Sequence, residues 1–174
     1  MKKDLIFIPV YNQEDSIKPI VKEIIDAKSD ADILVIDDGS TDRTFEILKK
    51  INGIEYIRHQ ENQGYGKTLR DGFRYAASKG YEYVITIDSD RQHQPGEINK
   101  FTQTARKTGS DIISGSRYLD TSPDKVKEAP EDRIKVNRRI TDHINRLTGF
   151  NLTDSFCGFK LYNVKAVKRL KLTE

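Results

Sequence analysis

Ile33-Leu34-Val35-Ile36-Asp37-Asp38-Gly39-Ser40-Thr41-Asp42 is the stretch that decides the fold. Four consecutive apolar residues end abruptly in two carboxylates, a glycine and a hydroxyl. An apolar run without polar alternation reads as a strand buried on both faces, and such strands belong to mostly parallel sheets covered by helices. The polar residues that follow then stand at the carboxyl end of the strand, where open α/β sheets bind their ligands.

Outward from this stretch the same pattern repeats. Residues 5–10, 54–57, 83–87 and 111–114 are further apolar runs of strand length. Between them Ile17, Ile20, Val21, Ile24 and Ile25 share one helical face, as do Phe45, Leu48 and Ile51, and Leu69, Phe73 and Ala76. The expectation is a Rossmann-like α/β fold, a mostly parallel sheet with helices on both faces. Strand one leads into Tyr11-Asn12, strand two into Asp37-Asp38-Gly39-Ser40, strand four into Asp88-Ser89-Asp90 and strand five into Gly115-Ser116-Arg117, all expected along one edge. Residues 119–132, with Pro123, Pro130 and many charges, read as a mobile surface loop.

A chain of 174 residues supports one compact domain with a real core. Charged residues make up 33% and no apolar window is long enough to span a bilayer. The apolar start is interrupted by Asp4, Pro9 and Asn12, so it reads as a first strand and not a signal peptide. The one cysteine, Cys157, excludes an internal disulfide framework and fits a reducing, cytoplasmic compartment. The net charge of +3 is uneven: residues 133–174 hold ten Lys/Arg against three Asp/Glu, about +7. Such a basic end is either a solvated face or an attractor of anionic lipid headgroups, a phosphorylated substrate or nucleic acid. Nucleic acid is the weakest of these, since no nucleic-acid-binding motif accompanies the charges.

Four constellations carry chemistry, each with a plain structural alternative. Asp88-Ser89-Asp90, at a strand end, suits a hard divalent cation bound through oxygen, Mg²⁺ or Mn²⁺, and equally suits a turn or helix cap. Gln92 and His93 extend the candidate ligand set, and Pro95 suits the first turn of the next helix. In the stretch 37–42, Ser40 or Asp42 can cap a helix, while the adjacent carboxylates Asp37 and Asp38 suit ribose hydroxyls or base N–H donors. Asn62-Gln63-Gly64-Tyr65-Gly66-Lys67 lets backbone N–H groups approach a ligand, with Lys67 adding charge, or is a loop and cap; its spacing is not that of a Walker motif. Gly115-Ser116-Arg117-Tyr118 offers a guanidinium to phosphate or to a surface ion pair. The three histidines lack zinc-ligand spacing, and no serine triad is evident.

Taken in order, Pro9-Val10-Tyr11-Asn12 with Glu14, DDGSTD, NQGYGK, DSDRQHQP and GSRY resemble the motif set of glycosyltransferase family 2, across almost the whole chain. QHQP and Asp154-Ser155-Phe156-Cys157-Gly158-Phe159-Lys160 resemble its polyprenyl-phosphate mannosyl- and glucosyltransferase branch, the dolichyl-phosphate mannose synthase-like enzymes. The resemblance implies a GT-A fold and an inverting, metal-dependent transfer from a GDP- or UDP-sugar to a lipid phosphate. It also implies that Pro9, Tyr11, Glu14, Asp38 and Asp88 surround the nucleoside, that Asp90 holds the metal with Asp88 and Gln92, and that Arg117 faces phosphate. Arg138 with Thr141 is similar to the pair that receives the acceptor phosphate. Asn12, Asp37, Gly64 and Lys67 complete the expected substrate site.

A phosphate acceptor is already anionic and needs orientation more than deprotonation; for a saccharide hydroxyl, Asp154 is the candidate base. Ser89 stands where relatives usually have alanine, and Arg91 where small or neutral residues are common. Residues 1–174 are expected as a single catalytic domain, truncated where family members continue with further elements and often membrane segments. Its place is the cytoplasm, with peripheral contact to the cytoplasmic face of a membrane. A nucleotidyltransferase is disfavoured because a glycine-rich basic loop is missing after strand one. A non-catalytic sugar-nucleotide-binding module is the remaining alternative.

Overall fold

The computed structural model describes residues 3–27, 29–89, 94–119 and 131–173. In chain order the elements are β1 (Leu5–Val10), α1 (Ile17–Asp26), β2 (Asp32–Asp37), α2 (Thr44–Leu48), β3 (Glu55–Arg58), α3 (Tyr65–Lys79) and β4 (Tyr83–Thr86). A 3₁₀ turn (Pro95–Glu97) leads into α4 (Ile98–Thr108), followed by β5 (Ile112–Ser114), α5 (Glu131–Thr148), β6 (Lys160–Asn163) and α6 (Val164–Arg169). The six strands form one sheet in the order β3-β2-β1-β4-β6-β5. The β1/β2, β1/β4 and β2/β3 pairs are parallel, and β4/β6 is antiparallel. This mostly parallel α/β sheet is the expected fold class.

The sequence explains the order. Every residue of β1 is buried, so this strand takes a central place with β2 and β4 on its two sides. Leu5, Phe7, Leu34, Ile36 and Val84 point to one face, where Phe73 and Ala76 of α3 and Val164 and Val167 of α6 cover them. Ile6, Ile8, Val35 and Ile85 alternate onto the opposite face and are also buried, so both faces are covered. Gly72 is what lets α3 lie this close to the sheet. A Cβ there would stand 2.4 Å from the Phe7 ring.

Several boundaries differ from the periodicity. Ile25 is 43% exposed, because the covered stripe of α1 is complete with Ile17, Ile20, Val21 and Ile24. All four residues of β3 are exposed, as befits an edge strand. β6 is an additional, antiparallel strand whose residues alternate in burial less clearly than an isolated apolar run would. Pro95 opens the 3₁₀ turn before α4, as its fixed φ predicts. Most of the expected 119–132 loop lies outside the described residues.

The chain divides into two compact units. Unit one, residues 1–113 and 160–174, contains nearly all of the sheet. Unit two, residues 114–159, is built on α5 and the segments flanking it.

Candidate functional site

In unit one, the loops after β1 and β2 are tied together residue by residue. Asn12 adopts φ 52°, a region few residues other than glycine and asparagine tolerate. This turns its side-chain oxygen onto the Thr41 N–H at 2.8 Å, while its own N–H donates to Ser40 Oγ at 2.9 Å. Gln13 N–H donates to Thr44 Oγ1 and Glu14 N–H to Asp42 Oδ2. The Glu14 carboxylate accepts from Arg43 N–H at 2.9 Å and Nε at 3.1 Å, and this hydrogen bonding holds its pKa below the ordinary value. Asp42 rather than Ser40 serves the start of α2, accepting from Thr44 N–H at 2.9 Å. Tyr11 stays 41% exposed beside this seam, and Pro9 is buried in β1.

The two carboxylates that end β2 have different surroundings. Asp37 is fully buried; its Oδ1 accepts from Ser40 N–H at 2.9 Å, and its Oδ2 faces Arg58 Nε at 3.4 Å with no hydrogen bond. Asp38 accepts from Gln63 N–H at 2.9 Å, Gly64 N–H at 2.8 Å and His59 Nδ1 at 2.7 Å. Burial pushes its carboxyl up, but the bonds from His59, Gln63 and Gly64 outweigh burial and hold its pKa below the usual value. Gly39 makes the junction possible. At φ 73°, it brings the β2 loop so near that a Cβ would lie 2.4 Å from the Glu61 carbonyl carbon.

The loop held by Asp38 also reaches the tip of β4. Tyr65 follows Gln63 and Gly64, and its hydroxyl lies 3.3 Å from Asp88 Oδ1. One short segment therefore touches the acids that end β2 and β4. Behind it, His59 Nε2 meets Asp71 Oδ2 at 3.0 Å, and Asp71 is further engaged by Lys67 and by Arg74 at 3.2 Å. Against the upward push of burial, Lys67 and then His59 keep the Asp71 pKa low. Lys67, expected to offer its charge to a ligand, is directed at Asp71 instead.

Asp90, Gln92 and His93 lie outside the described residues, so Asp88 alone represents the expected metal set. Among the described residues no group of three His, Cys, Asp or Glu could hold a metal ion. The donor chemistry nevertheless fits a hard cation: Asp88 is an oxygen donor at the end of a buried strand, half-buried and next to a fully buried Ile87.

Unit two contains a second polar cluster. Arg117 Nε and Nη2 donate to Asp154 Oδ2 and Oδ1 at 2.8 and 3.1 Å, and Arg117 N–H adds a third contact. Asn137 of α5 donates to Asp154 Oδ1 at 2.7 Å. Burial would raise the Asp154 pKa, but Arg117 and Asn137 hold it below the ordinary range. The same pairing pushes the Arg117 guanidinium further up. The buried Thr141 hydroxyl donates to Asn137 Oδ1 at 2.9 Å, lies 2.9 Å from Ser155 Oγ, and accepts from Ser155 N–H at 3.1 Å. Arg138 and Thr141 line a cleft of about 290 Å³ with Tyr118, Ile134, Asp142, Leu152 and Thr153.

Three participants were not on the expected list. His59 and Asp71 belong with the acids of β2, and Asn137 with Asp154. His59 stands directly after β3, where the strand-end rule that selects Asp37 and Asp88 also selects it. Asp71 and Asn137 give no such signal, since both sit inside helices.

The sheet order and the acids at its strand ends define a GT-A type domain. The chain matches Glycosyl transferase family 2 over residues 5–171 and belongs to that family. It is 29% identical over 181 residues to the UDP-N-acetylglucosamine–dolichyl-phosphate N-acetylglucosaminyltransferase of Methanococcus voltae, covering 95% of this chain and 71% of that one. It is 25% identical over 177 residues to the polyprenol monophosphomannose synthase of Mycolicibacterium smegmatis, covering 99% of this chain and 66% of that one. The fold is similar to glucosyl-3-phosphoglycerate synthase from Mycobacterium tuberculosis, crystallised with Mn²⁺, uridine diphosphate and phosphoglyceric acid. That match has a TM-score of 0.71 at 17% identity, covering 95% of this chain and 57% of the other. The chain spans only 46% to 57% of the length of the first solved structures it matches.

Proposed function

We propose that this protein transfers a sugar from a GDP- or UDP-sugar to a polyprenyl or dolichyl-type phosphate, with inversion at the anomeric carbon. The observation that carries the reading is the segment 63–65, which joins the acid ending β2 to the acid ending β4. Its backbone is fixed by the buried Asp38, and its tyrosine stands by the half-buried Asp88, so the segment holds the two strand tips together at the sheet margin. Relatives named for dolichyl-phosphate and polyprenol-phosphate products support the acceptor class.

In this reading Tyr11, exposed beside the joined loops, lies on the nucleoside side of the donor site, and the buried Asp37 and Asp38 shape that side by fixing the loops through Ser40, Gln63 and Gly64, as Asn12 does through Thr41. Asp88, with Asp90 and Gln92, would hold Mg²⁺ or Mn²⁺, which supplies positive charge against the diphosphate as it leaves. Mn²⁺ in the uridine-diphosphate complex of the similarly folded synthase supports the choice of cation. An acceptor phosphate oxygen attacks the anomeric carbon from the side opposite the diphosphate. The new C–O bond forms as the old one breaks, and the electron pair leaves with the nucleoside diphosphate. No proton has to move, so positioning and charge screening suffice.

Arg138 and Thr141 line a cleft suited to the acceptor phosphate. Asp154 supports a phosphate acceptor over a saccharide hydroxyl: its carboxylate is spent on Arg117 and Asn137, and a carboxyl held below its ordinary pKa is a weak base. Its part is to fix Arg117. The reaction belongs at the cytoplasmic face of a membrane, where the lipid acceptor resides.

Incubation with radiolabelled GDP-mannose, UDP-glucose or UDP-N-acetylglucosamine, polyprenyl phosphate and Mn²⁺ tests this directly. Label from one donor should enter the lipid extract, and EDTA should abolish it. Donor binding without lipid labelling from any of the three would instead favour a sugar-nucleotide-binding module.

A further inference from the structure

The loop between β3 and α3 has no packing to hold it. Gln60, Glu61, Asn62 and Gln63 are all exposed and carry no apolar side chain. Gly64, the N-cap of α3, has no side chain to bond the first amides of the helix. Segments of this kind open locally at little cost unless hydrogen bonds close them. Here the bonds converge on Asp38, which meets His59 Nδ1 at the entry of the loop and the Gln63 and Gly64 N–H groups at its exit. Both ends are therefore closed on one carboxylate. His59 is tied a second time, with Nε2 3.0 Å from Asp71 Oδ2 in the second turn of α3. Its own N–H donates to Asp37 O at 2.8 Å, so the ring starts from a fixed backbone. The His59 side chain is only 9% exposed, which separates this bridge from a surface ion pair. Asp71 has Lys67 and Arg74 besides, whereas Asp38 is met by His59 and two backbone amides.

We propose that His59 is a positioning residue for the margin between β2 and β4: Asp71 orients its ring, the ring anchors Asp38, and Asp38 seats residues 63 and 64 so that Tyr65 stands beside Asp88. A ring fixed through one nitrogen is fixed in direction at the other. Asp71 is itself steadied by Lys67 and Arg74, so the orientation is imposed from α3. His59 touches no substrate in this role and acts through Asp38. The consequence for catalysis rests on the donor-site reading of these strand tips. There a seated segment spares a nucleotide the cost of ordering it, and an unseated one lowers affinity. The seating itself involves no nucleotide and is measured apart from it.

Amide hydrogen exchange resolved by NMR, followed by calorimetric titration of GDP and UDP with Mn²⁺, is the experiment. His59→Ala should speed exchange at Gln63 and Gly64 by about tenfold and leave Phe7 and Ile8 of the buried strand β1 as in the parent protein. It should weaken nucleotide binding by about fivefold. Two conservative variants separate the contacts. The amide of His59→Asn reaches about as far as Nδ1 and keeps a donor on Asp38, whereas that of His59→Gln reaches about as far as Nε2 and keeps one on Asp71. His59→Asn should therefore restore most of the protection at residues 63 and 64, and His59→Gln should not. Parent-like exchange at these two amides in His59→Ala would overturn the proposal. So would faster exchange throughout β1 that His59→Asn fails to reverse, the mark of a merely structural residue, and so would parent-like nucleotide affinity in His59→Ala. A parent protein that binds neither nucleotide would remove the donor-site reading alone; faster exchange at residues 63 and 64, rescued by asparagine, would still uphold the role of His59.

Discussion

At the scale of single residues, the acids of this protein are defined by their partners. Asp38 was legible as a strand-end carboxylate, because the apolar run before it leaves no doubt where β2 stops. Its partners were not legible: Gln63 and Gly64 lie 25 and 26 residues further along the chain, and only the folded sheet brings them near. The same holds for Asp154, read from sequence as a candidate base and found in the grip of Arg117 and Asn137. Asp154→Asn keeps the shape and removes the charge-assisted pairing, so it should cost about 2 kcal/mol at neutral pH. The sign of the pH dependence follows from the direction of the shift. The folded carboxyl has a depressed pKa, so its stabilisation is present above the ordinary value near ~3.9 and is lost as pH falls through the folded value. Urea titrations of the two proteins should therefore converge in acid; a gap that stays constant from pH 7 to well below 4 would show that Asp154 contributes no charge pairing.

At the scale of elements, continuous apolar runs located the strands of the parallel core, while the margins of the sheet were obscured. β3 is exposed because it is an edge, and its apolar residues Tyr56 and Ile57 are 42% and 37% exposed. β6 pairs antiparallel with β4 across more than seventy residues of chain, and no local periodicity encodes such a pairing. α5 escaped notice for a related reason: Val136, Ile140 and Leu147 are exposed while its fully buried residues, Asn137 and Thr141, are polar, which blurs the pattern that marks a core-facing helix. The fit of α3 on β1 is tight at one point. Gly72→Ala places a methyl against the Phe7 ring, and overpacking of this kind costs about 1–3 kcal/mol. Helix propensity pulls the other way by about 1 kcal/mol. A net loss of stability in thermal or urea melts is expected, and a gain would mean that α3 can lift from the sheet without cost.

At the scale of the whole molecule, a central buried strand aligns its neighbours so that the loops after β1, β2 and β3 and the tip of β4 form one connected margin. Asn12 binds the β2 loop, Asp38 binds the β3 loop, and Tyr65, which opens α3 at the end of that loop, stands at Asp88. This margin was foreseeable, since parallel strands deliver their carboxyl ends to the same side. The closeness of the loops was not, because it depends on Gly39 and on hydrogen bonds between distant residues. We propose that this margin binds a nucleoside diphosphate through a divalent cation. Calorimetric titration of GDP and UDP into the protein, with Mn²⁺ and then with EDTA, tests it most directly. Saturable binding of at least one of the two is expected, requiring Mn²⁺ and disappearing in Asp88→Ala without loss of the folded state. Binding that is indifferent to both the cation and Asp88, or no binding of either nucleotide, would contradict it.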